Sequence, residues 1–122
     1  MTENEAIALI EDLNLPDTEP QQWADLGCGS GLFTYALAAL LGKGSSIVAI
    51  DKKDQAPIKS KYHDVRITFK QSNFIDEEIP GSGYNGILMA NSFHYVKDKT
   101  MFIQKVTKEL APGGKLVLIE YD

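Results

Sequence analysis

Three glycines stand at alternate positions in Asp25-Leu26-Gly27-Cys28-Gly29-Ser30-Gly31, directly behind a short apolar run. Glycine weakens strands and helices alike, so this spacing shapes a backbone for close approach to something. Between a parallel strand and a helix, such a turn points backbone N–H groups and the helix N-terminus at a ligand with no side chains in the way, which suits a nucleotide-like group. Asp51 closes the apolar run Ile47-Val48-Ala49-Ile50, twenty positions beyond Gly31. That is about the distance at which dinucleotide-binding folds place an acid on ribose hydroxyls, although aspartate alone would serve equally as a helix N-cap.

Three cofactor classes compete for this turn. A phosphate-binding P-loop needs a Lys-Ser/Thr pair after its last glycine, and Leu32-Phe33 stand there instead. A nicotinamide or flavin fingerprint needs glycine or alanine where Leu32 sits and requires no acid before its first glycine, which leaves an NAD-dependent oxidoreductase as an alternative. An adenosine-containing ligand held by backbone and Asp51 is the reading the residues favour. Cys28 as a nucleophile would need a partner base that cannot be named, so it reads as a small residue contributing its backbone.

The elements that must position these residues follow from punctuation and periodicity. Thr2 and Glu5 form a capping-box pattern, and Ala6, Ile7, Ile10 and Leu13 recur at helical spacing, predicting a helix over 3–14 before Pro16. Residues 21–26 enter the glycine turn as a strand, and Phe33, Ala36, Leu37, Leu40 and Leu41 form one face of a helix ending at Gly42. The run 47–50 is a strand buried on both faces; 66–71, 84–90 and 115–121 read as three more. A short helix is expected within 52–64, where Pro57 stands, and a longer one over 97–110, ended by Ala111-Pro112-Gly113-Gly114. Trp23, Phe33, Phe102 and Tyr121 fall in the apolar pattern as core residues. Alternating strands and helices imply a mostly parallel, doubly wound sheet of about five strands with helices on both faces, and ligands bind at the carboxyl ends of such strands.

The string Trp23 to Thr34, WADLGCGSGLFT, resembles motif I of the class I S-adenosylmethionine-dependent methyltransferases, in which an acid precedes a Gly-x-Gly-x-Gly turn. YNGILMANSFHYVKD looks like that family's fourth-strand motif and ELAPGGKLVLIEYD like its fifth-strand entry, so the resemblance runs from Trp23 to Asp122. It implies a Rossmann-like fold and S-adenosyl-L-methionine as cofactor. By the same resemblance, Asp25 organises the site near the methionine moiety, and Gly27, Cys28, Gly29 and Gly31 pass along the cofactor. Asp51, with Lys52 beside it, binds the ribose diol. Asn73 and Phe74 fall where the family contacts adenine; Asn73 replaces the usual aspartate and can still accept a hydrogen bond from the adenine amino group, and Phe74 either stacks on the ring or fills the sheet edge. Asn91 and Ser92 face the methyl group.

The expected activity is transfer of the sulfonium methyl to a small molecule, because Asn91-Ser92-Phe93-His94 stands where nucleobase amino-methylating enzymes carry Asn/Asp-Pro-Pro-aromatic. His94 is either a general base, a cofactor contact or a packed residue at a helix start. A non-catalytic S-adenosylmethionine-binding or interaction module is the alternative from another class. The family's core has seven strands, so the expected domain, 1–122, lacks the last helix and the final strand pair. That leaves the strand 115–121 as an edge open to pairing in a homodimer.

Composition sets the remaining bounds. The 122 residues suit one domain, and an apolar share of 43% with 24% charged residues is ordinary for a globular protein. A net charge of -5 argues against a strong sequence-independent grip on nucleic acid or anionic membrane. The acidic N-terminus does not read as a signal peptide, and one cysteine agrees with a reducing compartment, so the cytoplasm is the expected location. No metal is expected.

Overall fold

The computed structural model describes residues 1–16, 18–54 and 58–120. In chain order the elements are α1 (Glu3–Glu11), β1 (Gln22–Leu26), α2 (Leu32–Leu40), β2 (Ser46–Asp51), β3 (Lys61–Tyr62), β4 (Val65–Gln71), β5 (Tyr84–Ala90), a 3₁₀ turn (Phe93–Tyr95), α3 (Lys99–Thr107) and β6 (Leu110–Ile119). They form one six-stranded sheet in the order β3-β4-β2-β1-β5-β6, parallel throughout except for β3, which pairs antiparallel with β4. The chain runs outward from β1 through β2 to β4, then returns to β5 on the other side of β1. The order therefore reverses beside β1, and the carboxyl ends there flank a crevice.

Burial on both faces explains the apolar strands. Trp23, Ile47, Ala49 and Leu88 enter one core with Ala6 and Ile10 of α1 and Phe33 and Leu37 of α2. Their alternates Ala24, Ile50, Ile87 and Met89 enter a second core with Phe102 and Val106 of α3. Helices thus cover both faces, as the alternation of elements implies. The short antiparallel β3 is additional to the five expected strands.

Several expected boundaries move, each for a local reason. The Thr2 capping box forms, its hydroxyl accepting from Glu5 N at 3.2 Å and its own N–H donating to Glu5 Oε1 at 3.0 Å, but α1 stops at Glu11 and Asn14 takes φ 52°. Asparagine tolerates that left-handed geometry, which no helix continues through. The helix expected within 52–64 is absent among the described residues. Instead His63 (φ 51°) and Asp64 (φ 61°) make the two-residue turn of a hairpin joining β3 to β4. Pro57 lies outside the described residues, as does Tyr121.

The last helix spans Lys99–Thr107 rather than 97–110. Asp98 is its N-cap, accepting from Met101 N at 3.1 Å, and Leu110 already pairs with Tyr84 as the start of β6. The register then jumps so that Gly86 faces Lys115, leaving Ala111 to Gly114 as a bulged segment inside the strand. Trp23, Phe33 and Phe102 are buried as expected. Gly86 was not singled out by sequence, yet a Cβ there would stand 2.3 Å from the Trp23 ring. Among the described residues no helix is long and apolar enough to cross a membrane.

Candidate functional site

The glycine turn is tied down at the crevice by its neighbours. Gly27 N and Cys28 N both donate to Ile50 O, at 2.7 and 3.0 Å, which locks the end of β1 to the end of β2. All three glycines hold positive φ, at 82°, 54° and 101°, a geometry costly for other residues. Gly31 is the N-cap of α2, and Tyr35 packs beneath it. Gly27 also needs its missing side chain for space, because a Cβ would stand 2.9 Å from Ser92 Cβ. Ser92 itself donates to Leu26 O at 3.0 Å, which pins the segment after β5 to the end of β1.

Asp51 is held at both carboxylate oxygens. Oδ2 accepts from Gly29 N at 2.9 Å and Oδ1 from Lys53 N at 3.0 Å. A carboxylate oxygen has room for a second donor, so this arrangement fixes the group and leaves it able to accept from a ligand.

A cavity of about 420 Å³ opens at these strand ends. Of the residues expected at the site, Gly27, Asp51, Lys52, Asn73, Phe74, Asn91 and Ser92 line it. Lys53, Ile75, Ala90 and Tyr95 line it too and were missed. Each directly follows or precedes a residue that was named, but nothing in their types marked them. Asp25, Cys28, Gly29, Gly31 and His94 are not among the lining residues. Gly29 instead donates its N–H to Asp51, and Gly31 caps α2. His94 is engaged by Glu120 at the end of β6: its N–H donates to Oε1 at 3.1 Å and its Nδ1 lies 3.0 Å from Oε2. Its ring also lies 4.1 Å from that of Tyr95, which is on the cavity wall.

Asp25 sits beneath the turn, 1% exposed. Thr34 Oγ1 donates to its Oδ2 at 2.6 Å, while Oδ1 finds no hydrogen-bond partner among the described residues. Burial pushes its pKa up to about 6, against the Thr34 hydrogen bond and with some help from the charge of Asp51. Burial, with the charges of Asp25 and Asp51 adding, also pushes the Cys28 thiol well above its ordinary range. A thiol held protonated is a poor nucleophile, which agrees with a backbone role for Cys28.

Asn73 opens a one-turn segment. Its Oδ1 accepts from Ile75 N at 3.2 Å and Asp76 N at 3.4 Å, its Nδ2 donates to Asp76 Oδ2 at 3.0 Å, and its own N–H donates to Glu77 Oε1 at 2.9 Å. The side chain is thus oriented by its own turn. Phe74 points into the second core, with its ring 6.2 Å from that of Phe102.

A protein family described as a methyltransferase domain matches residues 24–116. A ubiquinone biosynthesis O-methyltransferase of Xanthomonas euvesicatoria is 30% identical over 100 residues, covering 77% of this chain and 40% of that protein. Norajmaline N-methyltransferase of Rauvolfia serpentina is 23% identical over 122 residues, 97% of this chain and 42% of that one. Among solved structures, coclaurine N-methyltransferase bound to N-methylheliamine and SAH superposes with a TM-score of 0.76 at 22% identity, covering 95% of this chain and 35% of its own. An S-adenosylmethionine-dependent methyltransferase from Mesorhizobium loti gives a TM-score of 0.73 at 22% identity, covering 93% and 52%. These likenesses establish the Rossmann-like methyltransferase fold. The chain spans half or less of the length of the curated relatives it matches, 40% and 42% of the two named. Because the family match begins in β1 at Ala24 and runs on into β6 at Leu116, so that it encloses the glycine turn, Asp51 and the whole cavity, the chain belongs to the methyltransferase domain family.

Proposed function

We propose that this domain binds S-adenosyl-L-methionine in the crevice beside β1 and serves transfer of its methyl group to a small-molecule acceptor. The observation that carries the reading is Asp51, whose two oxygens are each fixed by one backbone N–H and each keep capacity for one ribose hydroxyl. Gly27, with Ser92 against it, offers bare backbone on the cavity wall, where a side chain would obstruct a ligand. Asp25, buried beneath the turn and bonded to Thr34 of α2, braces the glycine turn from below and does not line the cavity. Asn73 and Phe74 supply the wall for an adenine ring, and Asn91 and Ser92 border the reacting end.

When bound, the cofactor supplies an already activated sulfonium methyl. What remains for the chain is to orient the acceptor in line and exclude water, with a base only where the acceptor must lose a proton. The names of the ubiquinone, norajmaline and coclaurine methyltransferases support a small organic acceptor.

Isothermal titration of S-adenosylmethionine and S-adenosylhomocysteine into the chain, with NAD alongside, tests the reading. Micromolar binding of the two sulfur nucleosides without NAD binding is the expected result. NAD binding alone, or no binding of either sulfur nucleoside, overturns it.

A further inference from the structure

The cavity's Asn73–Phe74 wall stands on a single turn of chain, and such a turn is too short to hold itself. Its amides are satisfied from within, since Asn73 receives Ile75 N, Asp76 N and Glu77 N on its side-chain and backbone oxygens. Its carbonyls have no following helix to receive them. They converge instead on one ammonium from another element. Lys105 Nζ, in the last turn of α3, donates to Phe74 O at 2.7 Å, to Ile75 O at 3.2 Å and to Glu77 O. An ammonium has three N–H donors, and here all three have a carbonyl in one turn. The stem of Lys105 is half-buried, with Nζ 5.8 Å from the centre of the Phe102 ring, the same ring that neighbours Phe74.

We infer that Lys105 is a positioning residue for the cofactor: it closes the carbonyl end of the turn 73–77 from outside and thereby sets where Asn73 and Phe74 stand in the cavity. This rests on the proposed binding of S-adenosylmethionine there. Lys105 does not line that cavity, and no residue type or spacing in the sequence separates it from Lys97, Lys99 or Lys108. The bonds to the turn span about thirty positions of chain, so only the fold joins them. Loss of this ammonium leaves three carbonyls without their donor and lets the turn open, while the strands that carry Asp51 and the glycine turn stay paired.

The test is Lys105→Cys, read before and after treatment with 2-bromoethylamine. Alkylation forms a C–S bond with loss of bromide and of the thiol proton, and restores an ammonium at nearly the reach of lysine. Cys28 is the chain's other thiol; it is buried and held protonated, so the reagent is directed to position 105. Lys105→Cys is expected to weaken S-adenosylhomocysteine binding about tenfold in titration calorimetry and to speed amide exchange at Ile75, Asp76 and Glu77, with exchange in β1 and β2 unchanged. Aminoethylation is expected to reverse both effects. Binding within twofold of the parent chain, or faster exchange spread evenly over β1 and β2, overturns the inference. So does failure of the restored ammonium to recover binding. If the parent chain itself binds no S-adenosylhomocysteine, the cofactor reading falls, and the exchange of the turn amides still reports separately whether Lys105 holds the turn.

Discussion

Gly29 donates its backbone N–H to Asp51 Oδ2 at 2.9 Å, so the middle glycine of the turn and the acid that ends β2 are one unit. The glycine needs its φ of 54° to aim that N–H, and the acid needs it to stay fixed while its other oxygen takes Lys53 N. Asp51→Ala is expected to weaken S-adenosylhomocysteine binding by at least about 1.5 kcal/mol, tenfold or more, because ribose hydroxyls lose a charged acceptor. Asp51→Asn is expected to fare little better, since its amide must present N–H to either Gly29 N–H or Lys53 N–H. Calorimetric affinities for both variants within twofold of the parent would remove Asp51 from the site.

Gly27 is doubly constrained, by φ 82° and by Ser92 Cβ at 2.9 Å from a Cβ built on it. The left-handed backbone costs a residue with a side chain roughly 1–2 kcal/mol, and forced overpacking commonly about 1–3 kcal/mol more. Gly27→Ala is therefore expected to lower the urea midpoint clearly. Adding Ser92→Gly is expected to relieve the packing cost while losing the Ser92 bond to Leu26 O, so a double variant as stable as the parent would mean that backbone strain at Gly27 is not a cost.

These two relationships mark how far the residues alone could be read. That the glycine turn, Asp51, Asn73 and Ser92 gather at one crevice was legible because each sits within a few positions of a strand end with an apolar run. Asp51's bond to Gly29 was not, because it spans the whole of α2. The expected helix within 52–64 failed on His63 and Asp64, whose positive φ is a choice made by the hairpin pairing of Lys61 with Arg66. Neither residue type demands it. His94's partner Glu120 and the clasp of Lys105 were equally hidden, since both join segments that only the sheet order brings together.

Gly86 offers a test of the core that does not touch the cavity. It lies between Tyr84 and Ile87 on β5, and its missing side chain makes room for the Trp23 indole, whose Nε1 donates to Gln21 Oε1 at 2.9 Å. Neither the ring nor the paired backbone can yield 2.3 Å contacts cheaply. Gly86→Ala is expected to destabilise by about 1–3 kcal/mol or more, whereas alanine at the open position Gly29 bears only its backbone cost. A Gly86→Ala urea midpoint equal to that of the parent would contradict the tight fit of Trp23.

Asp25 gives the domain a pH dependence of unusual sign for a carboxylate. Its pKa, pushed up to about 6 by burial, exceeds the ordinary 3.8, so between these values the folded chain binds more protons than the unfolded chain. This group's contribution to stability is therefore greatest below pH 4, falls as pH rises toward 6 and is level above. The two-unit shift corresponds to about 3 kcal/mol. Asp25→Asn removes the titration while keeping the Thr34 hydrogen bond, at the cost of an amide N–H where Oδ1 now lacks a partner. Its net effect at one pH is thus small or of either sign. The difference between parent and variant stabilities, from urea unfolding at pH 4 and pH 7, is the informative quantity. It is expected to move by about 3 kcal/mol toward the variant as pH rises, and parallel curves would show that Asp25 is not the buried, half-satisfied acid described.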